Sequence, residues 1–349
     1  MKEGNRKPKD RDFLRTREGM FFCVTGYLHP PDRYTAYLKY SPTAEGKWHD
    51  DASAYRRELP YYHVRNVART IGHLEQGYPH YVHDCPVRGF RFSMVPRKRV
   101  ARYYVPEERL QEILRGPRDS LEEQVGGLTL DLAARAGIDP AALGITGSVL
   151  IGLHSPAFSD IDLTVYGLDN ARKVRTALRD RRIPSIHPLS QDFVGRWARG
   201  IAGRFPLTVD EARYFASRRW NYGTYDGRYF SIHAIRSDEE ISERYGDHIY
   251  RSQGVARVRA TVVDATEALF MPAIYRVEGV QFLAGSPRAA TVEQVVSYEG
   301  LYRDIAEAGT VIEARGTVES VDGEPRRLVI GTMELGGEGY VKQVQKGLA

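Results

Sequence analysis

The sequence predicts a multidomain α+β or α/β chain, with a central region of mixed strands and helices flanked on both sides by β-rich modules. Three observations carry this. A length of 349 residues exceeds the ~150 of an average domain by enough for two or three. Apolar residues make up 42%, charged residues 27% and aromatic residues 11%, a composition that can bury cores and excludes collagen-like, coiled-coil and wholly disordered chains. The hydrophobic pattern also changes along the chain, which sets expected modules at 12–105, 106–245 and 246–341.

In the first module, the runs Met20–Thr25 and Tyr34–Tyr40 read as strands, separated by Gly26, Pro30-Pro31 and the breaker Pro-Thr-Ala-Glu-Gly at 42–46. One helix is expected near 62–74. After the basic stretch Arg97-Lys98-Arg99, Pro106 opens a helix, and Ser120 with Glu123 predicts a capping box ahead of Leu128, Leu130 and Leu132. From Gly144 the pattern predicts a strand at 162–166, a basic helix at 169–182, helices near 190–202 and 208–219, and a strand at Arg228–Ile235. Beyond Gly254, the alternation over Val255–Val263, the run Leu328–Ile330 and the turn Asp322-Gly323 predict a second β-rich module. The first ten and last eight residues are expected to be disordered ends.

A net charge of +5 makes polyanionic partners plausible. Two cysteines, Cys23 and Cys85, cannot build a disulfide framework or a four-cysteine zinc site, and are expected as small buried hydrophobes. No run of ~18 uncharged apolar residues occurs and the first ten residues lack an apolar stretch, so no membrane partner and a cytoplasmic location are expected. No Walker A loop, dinucleotide fingerprint, nucleophile elbow or His-Glu-x-x-His is present, which removes the commonest ATPase, dehydrogenase, hydrolase and metalloprotease readings.

The chemistry concentrates between Gly144 and Gly167. Gly147-Ser148 offers backbone N–H groups and a hydroxyl that a phosphate can approach closely, because glycine has no side chain in the way. In Asp160-Ile161-Asp162 the period of a strand sends both carboxylates to one face and Ile161 to the core. Two such carboxylates repel unless a cation lies between them, and Mg²⁺ or Mn²⁺ suits an all-oxygen site. The bland reading is a solvated strand end. Asp10-Arg11-Asp12 has the same spacing without a Gly-Ser partner and is set aside.

Gly-Ser followed by Ser-Asp-Ile-Asp-Leu resembles the signature of the DNA polymerase beta-like nucleotidyltransferase superfamily over about 144–167, and more weakly to about 236. The long N-terminal module before this core also resembles a group of predicted archaeal nucleotidyltransferases. The resemblance implies a nucleotidyltransferase-like central mixed sheet and transfer of a nucleotidyl group from a nucleoside triphosphate to an acceptor hydroxyl, a nucleic-acid end among the acceptors. It implies Asp160 and Asp162 as metal ligands, and Gly147, Ser148 and Ser159 as nucleotide-binding residues. The mechanism it carries is in-line attack on the α-phosphorus with loss of pyrophosphate.

The superfamily's third carboxylate is missing from its expected strand. Arg228–Ile235 offers Ser231 and His233 but no acid, while Asp226 precedes it and Asp238, Glu239 and Glu240 follow. Either a flanking acid, first among them Asp226, substitutes, or His233 serves as a weaker base, or catalysis is impaired. Arg172, Arg175, Arg179 and Arg182 align on one helix face, with Lys173 and Arg181 nearby; Arg172 and Arg175 are read as following phosphates, against the plain alternative of a solvated face. Arg97-Lys98-Arg99, Arg102, Tyr103 and Tyr104 form a second basic and aromatic cluster suited to RNA or DNA. The competing function is therefore a catalytically degenerate nucleic-acid-binding protein that keeps the nucleotidyltransferase scaffold.

Overall fold

A computed structural model describes residues 6–50, 52–61, 63–180 and 183–344. The chain is a mixed α+β, multidomain structure with three sheets and, among the described residues, seven α-helices. No helix among these residues is long and apolar enough to cross a membrane.

The first sheet is antiparallel and eight-stranded: β1 (Phe13–Thr16), β2 (Phe21–Val24), β3 (Arg33–Thr43), β4 (Trp48–His49), β5 (Ala54–Arg57), β6 (Val82–Cys85), β7 (Phe90–Pro96) and β8 (Val100–Tyr104), with α1 (Val64–Gly77) between β5 and β6. Alternation sends Phe21 and Cys23 into one hydrophobic cluster and Phe22 and Val24 into another, so this sheet is covered on both faces. The break expected at 42–46 falls later. Strand β3 runs through Pro42 to Thr43, and the chain turns at 44–46, where a Cβ on Gly46 would lie 2.3 Å from the Tyr55 carbonyl oxygen.

Two helices follow, α2 (Pro106–Arg115) and α3 (Ser120–Ala136). The cap of α3 is Asp119 rather than Ser120: its carboxylate accepts the N–H groups of Leu121 and Glu122. Two capping residue types in a row made the boundary ambiguous by one position, and a charged acceptor holds two orphan donors at once. Leu128 and Leu132 are buried as expected, whereas Leu130 is exposed.

The central sheet comprises β9 (Leu143–Ile145), β10 (Ile161–Tyr166), β11 (Ile186–His187), β12 (Tyr222–Tyr225) and β13 (Arg228–Ile235), in the order β11-β12-β13-β10-β9. Within this sheet, among the described residues, only β10 and β13 pair in parallel, with Asp162 opposite Ser231 and Thr164 opposite His233. The intervening helices are α4 (Gly147–Leu150), α5 (Leu168–Arg179), α6 (Gln191–Ala202) and α7 (Val209–Arg218). Ile161, Leu163 and Val165 join residues of α2, α3 and α5 in one core, which anchors β10 from behind.

The third sheet holds β14 (Tyr250–Asp264), β15 (Ala273–Gly285), β16 (Gln294–Ser297), β17 (Val311–Val321), β18 (Glu324–Ile330) and β19 (Tyr340–Gln343). Because β17 also pairs with β14, the path β14-β15-β16-β18-β17 closes into a barrel, with β19 added on β17. Asp322 and Gly323, both at positive φ, form the expected two-residue turn. Packing crosses the expected boundary at 245: Ala198, Ile201, Ala212 and Phe215 of α6 and α7 share a cluster with Val258 and Leu328 of the barrel, while Leu269 and Phe270 join the central core.

Candidate active site

The site begins at one close approach. Gly147 has φ +68°, and a Cβ there would lie 2.5 Å from Asp162 Oδ2, so any other residue would strain the backbone and collide with the carboxylate. The Thr146 N–H donates to the Asp162 carbonyl at 2.8 Å and locks the Gly147-Ser148 turn beside β10. Ser148, half-buried, is the second residue of the short helix α4.

Asp160 lies exposed just before β10, Ile161 is fully buried, and Asp162 is half-buried. Loss of hydration, followed by the charge of Asp162, pushes the Asp160 carboxyl up to about 6, partly offset by Arg57, Arg228 and Lys47. The sequence pattern sets both carboxylates on one strand face, but β10 begins at Ile161 and Asp160 lies just outside it. Asp162 Oδ1 accepts the Ser231 hydroxyl at 2.5 Å. Among the described residues neither carboxylate makes a direct ion pair.

A chain of hydrogen bonds extends behind Asp162. The single Ser231 proton goes to Asp162, so the His233 Nε2 at 2.9 Å from Ser231 Oγ must donate. Its Nδ1 then accepts from the Arg303 guanidinium at 3.2 Å. This order needs a neutral imidazole, and burial, followed by the charges of Arg11, Arg303 and Lys39, pushes His233 well below its ordinary range. His233 is thus not a free base: both ring nitrogens are engaged, and its place is to orient Ser231.

The first module supplies what the sequence did not reveal. Arg11, left-handed at φ +73°, is held because its carbonyl accepts the Thr146 hydroxyl at 2.8 Å, and its guanidinium feels Asp162. Lys39, from β3, is brought down to about 7 by burial and then by Arg57 and Arg11, with Asp162 acting in the opposite sense. Arg57 and Lys47 act on Asp160. Tyr229, stacked on Phe193 with ring centroids 5.8 Å apart, and Tyr222 also lie within reach of these charges. These cations come from a different sheet, so only the tertiary fold brings them to the carboxylates.

Other expected residues are engaged within the protein. Asp226 sits exposed at the tip of the β12–β13 hairpin with φ +45°, where Asp226-Gly227 is a two-residue turn; it is a turn residue and not a third ligand. Ser159 is buried, and its hydroxyl accepts the Ser155 N–H at 3.0 Å, closing the loop before β10. Arg172 donates to Thr266 Oγ1 at 3.1 Å, and Arg175 and Arg179 pair with Asp304 at 2.9 and 3.4 Å, so this face docks on the barrel module. Arg181 and Arg182 lie outside the described residues. Asp238 pairs with Lys9, and Glu240 accepts the Leu168 N–H at the start of α5. Arg97, Arg99 and Arg102 meet Tyr34, Glu18 and Tyr104. A further group, Asp119, Glu122 and His154, brings three possible ligand atoms together: Asp119 takes His154 Nε2 and two backbone N–H groups, Glu122 takes Arg109, and His154 Nδ1 is buried without a hydrogen-bond partner among the described residues.

The uncharacterized protein MJ1086 of Methanocaldococcus jannaschii is 30% identical over 359 residues, an alignment covering 96% of this chain and 99% of that protein. No family model matches the sequence. No solved structure matches it.

Proposed function

Since the chain belongs to the same family as the uncharacterized archaeal protein MJ1086, we propose from the site itself a metal-dependent nucleotidyltransferase of the cytoplasm. It would have a nucleotidyltransferase-like central sheet and use a nucleoside triphosphate as donor and a hydroxyl, a nucleic-acid end among them, as acceptor. The observation that carries the reading is the contact of Gly147 with Asp162: a glycine required by both φ and space beside a carboxylate that is paired with a second one.

The donors present fit one hard divalent cation. Asp160 and Asp162 would hold Mg²⁺ or Mn²⁺, which relieves the repulsion that raises Asp160. They do not make a full two-ion set, because Ser231 faces Asp162 in the register where a third carboxylate is expected. When bound, such an ion supplies charge stabilisation to phosphate oxygens. The chain's own residues do the rest. Gly147 lets the backbone pack directly against the Asp162 carboxylate, and Ser231, held by His233 and Arg303, fixes Asp162 Oδ1. Arg11, Lys47 and Arg57 set a positive field for a triphosphate. In the transfer the acceptor hydroxyl oxygen bonds to the α-phosphorus and gives up its proton to solvent, the bond from that phosphorus to the β-phosphate oxygen breaks, and pyrophosphate leaves with those electrons.

The missing third carboxylate favours a second reading, a degenerate scaffold that binds RNA or DNA. Incubation with each α-labelled triphosphate, Mn²⁺ and pools of RNA, DNA and protein acceptors separates the two. Transfer by the native chain and none by the Asp160→Ala/Asp162→Ala variant supports the enzyme. Metal-independent nucleic-acid binding by both, without transfer, supports the scaffold.

A further inference from the structure

At the junction of the three sheets lies a cavity of about 510 Å³, within the ~300–1,000 Å³ range of small-molecule sites. It is separate from the carboxylate cleft. Its lining includes Arg236, beyond the end of β13, whereas Ser231 meets Asp162 near that strand's start, and five residues of strand span roughly 16 Å. Val64, Val67, Phe92, Met94 and Ile274 form apolar walls.

Glu299 is the exception on this wall. It is 3% exposed; Oε1 accepts the Val64 N–H at 3.1 Å, while Oε2 is buried without a hydrogen-bond partner among the described residues. Thr25 Oγ1, also on the lining, is likewise unpartnered among them. The neighbouring charges are answered by the protein: Arg88 donates to the Tyr298 hydroxyl, Arg327 pairs with Glu319, Arg236 pairs with Glu267, and Glu243 accepts the Tyr250 hydroxyl. Glu240 accepts the Leu168 N–H and Glu334 the Ser252 hydroxyl. Buried polar atoms are nearly always bonded, so an orphan carboxylate oxygen on a residue that lines a cavity points to a donor that comes from outside. Carboxylates outnumber guanidiniums along the lining by five to three, which favours a cation.

We propose that this cavity binds a small organic amine, whose protonated nitrogen donates to Glu299 Oε2 and whose apolar body packs on Val64, Val67, Phe92, Met94 and Ile274. The site takes a positive, mostly apolar molecule, and its chemistry is unlike that of a triphosphate. Burial alone pushes the Glu299 carboxyl up to about 7, and an ammonium partner supplies the counter-charge that the fold does not.

The test is calorimetric titration of the full chain with phenethylamine, tryptamine and octylamine, each against the alcohol of the same skeleton. At least one amine should bind saturably, with its alcohol weaker by about 10-fold or more, the effect of one charge-assisted hydrogen bond. Glu299→Gln keeps the shape and should lose the same factor, whereas Asp162→Asn should bind the amine as the native chain does, which separates this site from the cleft. No saturable binding by any of the three amines, equal binding of amines and alcohols, or undiminished binding in Glu299→Gln would overturn the proposal. Should Glu299→Gln fail to fold, the native chain's preference between amine and alcohol still decides.

Discussion

Asp162 and Asp304 are both aspartates among arginines, and the structure treats them in opposite ways. Asp304 is saturated: Arg175 at 2.9 Å, Arg179 at 3.4 Å and the Trp220 indole N–H at 2.8 Å all converge on it. Asp162 receives one neutral hydroxyl, and the cations that feel it, Arg11 and Lys39, make no direct ion pair with it among the described residues. An acid whose lone pairs are filled by fixed donors ties elements together. One that keeps lone pairs open inside a positive field can take a ligand. The difference separates a strut between α5 and the barrel module from a candidate site.

The largest effect that should follow concerns activity. Asp162→Asn is expected to lower label transfer by at least about 10²-fold while changing stability by less than about 1 kcal/mol; urea unfolding and transfer assays on the same preparation measure both. Asp304→Asn should do the reverse and destabilise by about 3 kcal/mol, because three donors lose a charged acceptor. Equal destabilisation by the two variants would erase the distinction.

Glu299 extends the comparison to an acid with almost no partner at all. Its carboxyl stands at about 7 in the folded chain against an ordinary value of 4.5. The folded state therefore holds the proton more tightly, and its stabilising effect is full below pH 4.5 and lost as pH rises toward 7. Unfolding free energy should fall across that window by on the order of 3 kcal/mol, and Glu299→Gln should flatten this part of the profile. An unchanged slope in the variant would mean that other groups set it.

Two smaller effects sharpen the account of the cleft. Gly147→Ala should destabilise by about 2 kcal/mol, through its φ of +68° and the collision with Asp162, and a circular dichroism melt would register it. Ser231→Ala should leave the fold intact and lower transfer by about 10-fold, the net worth of one hydrogen bond to a carboxylate. A wild-type rate in that variant would show that the Arg303–His233–Ser231 chain does not position Asp162.

Local signals in the sequence reached the elements that carry the site. The alternation around Asp162, the strand Arg228–Ile235 and the Gly-Ser turn are properties of neighbouring residues, and the structure places them as the patterns require. The hairpin signal that identified Asp322-Gly323 applies equally to Asp226-Gly227, and giving it the same weight would have removed Asp226 from the site. Arg11, Lys39 and Arg57 were not legible, because their approach to the carboxylates depends on how one sheet docks on another. The amphipathic helices α6 and α7 showed that they bury a face, but not that the face lies on the barrel. In the same way the arginines of α5 advertised charge without naming Asp304 as the partner.

The most direct measurement is transfer of an α-labelled nucleoside triphosphate in Mn²⁺ by the native chain and by Asp160→Ala/Asp162→Ala, with folding of both verified. The account predicts labelled acceptor from the native chain and none from the variant. Equal label from both, or none from either while nucleic acid is bound without metal, would contradict it.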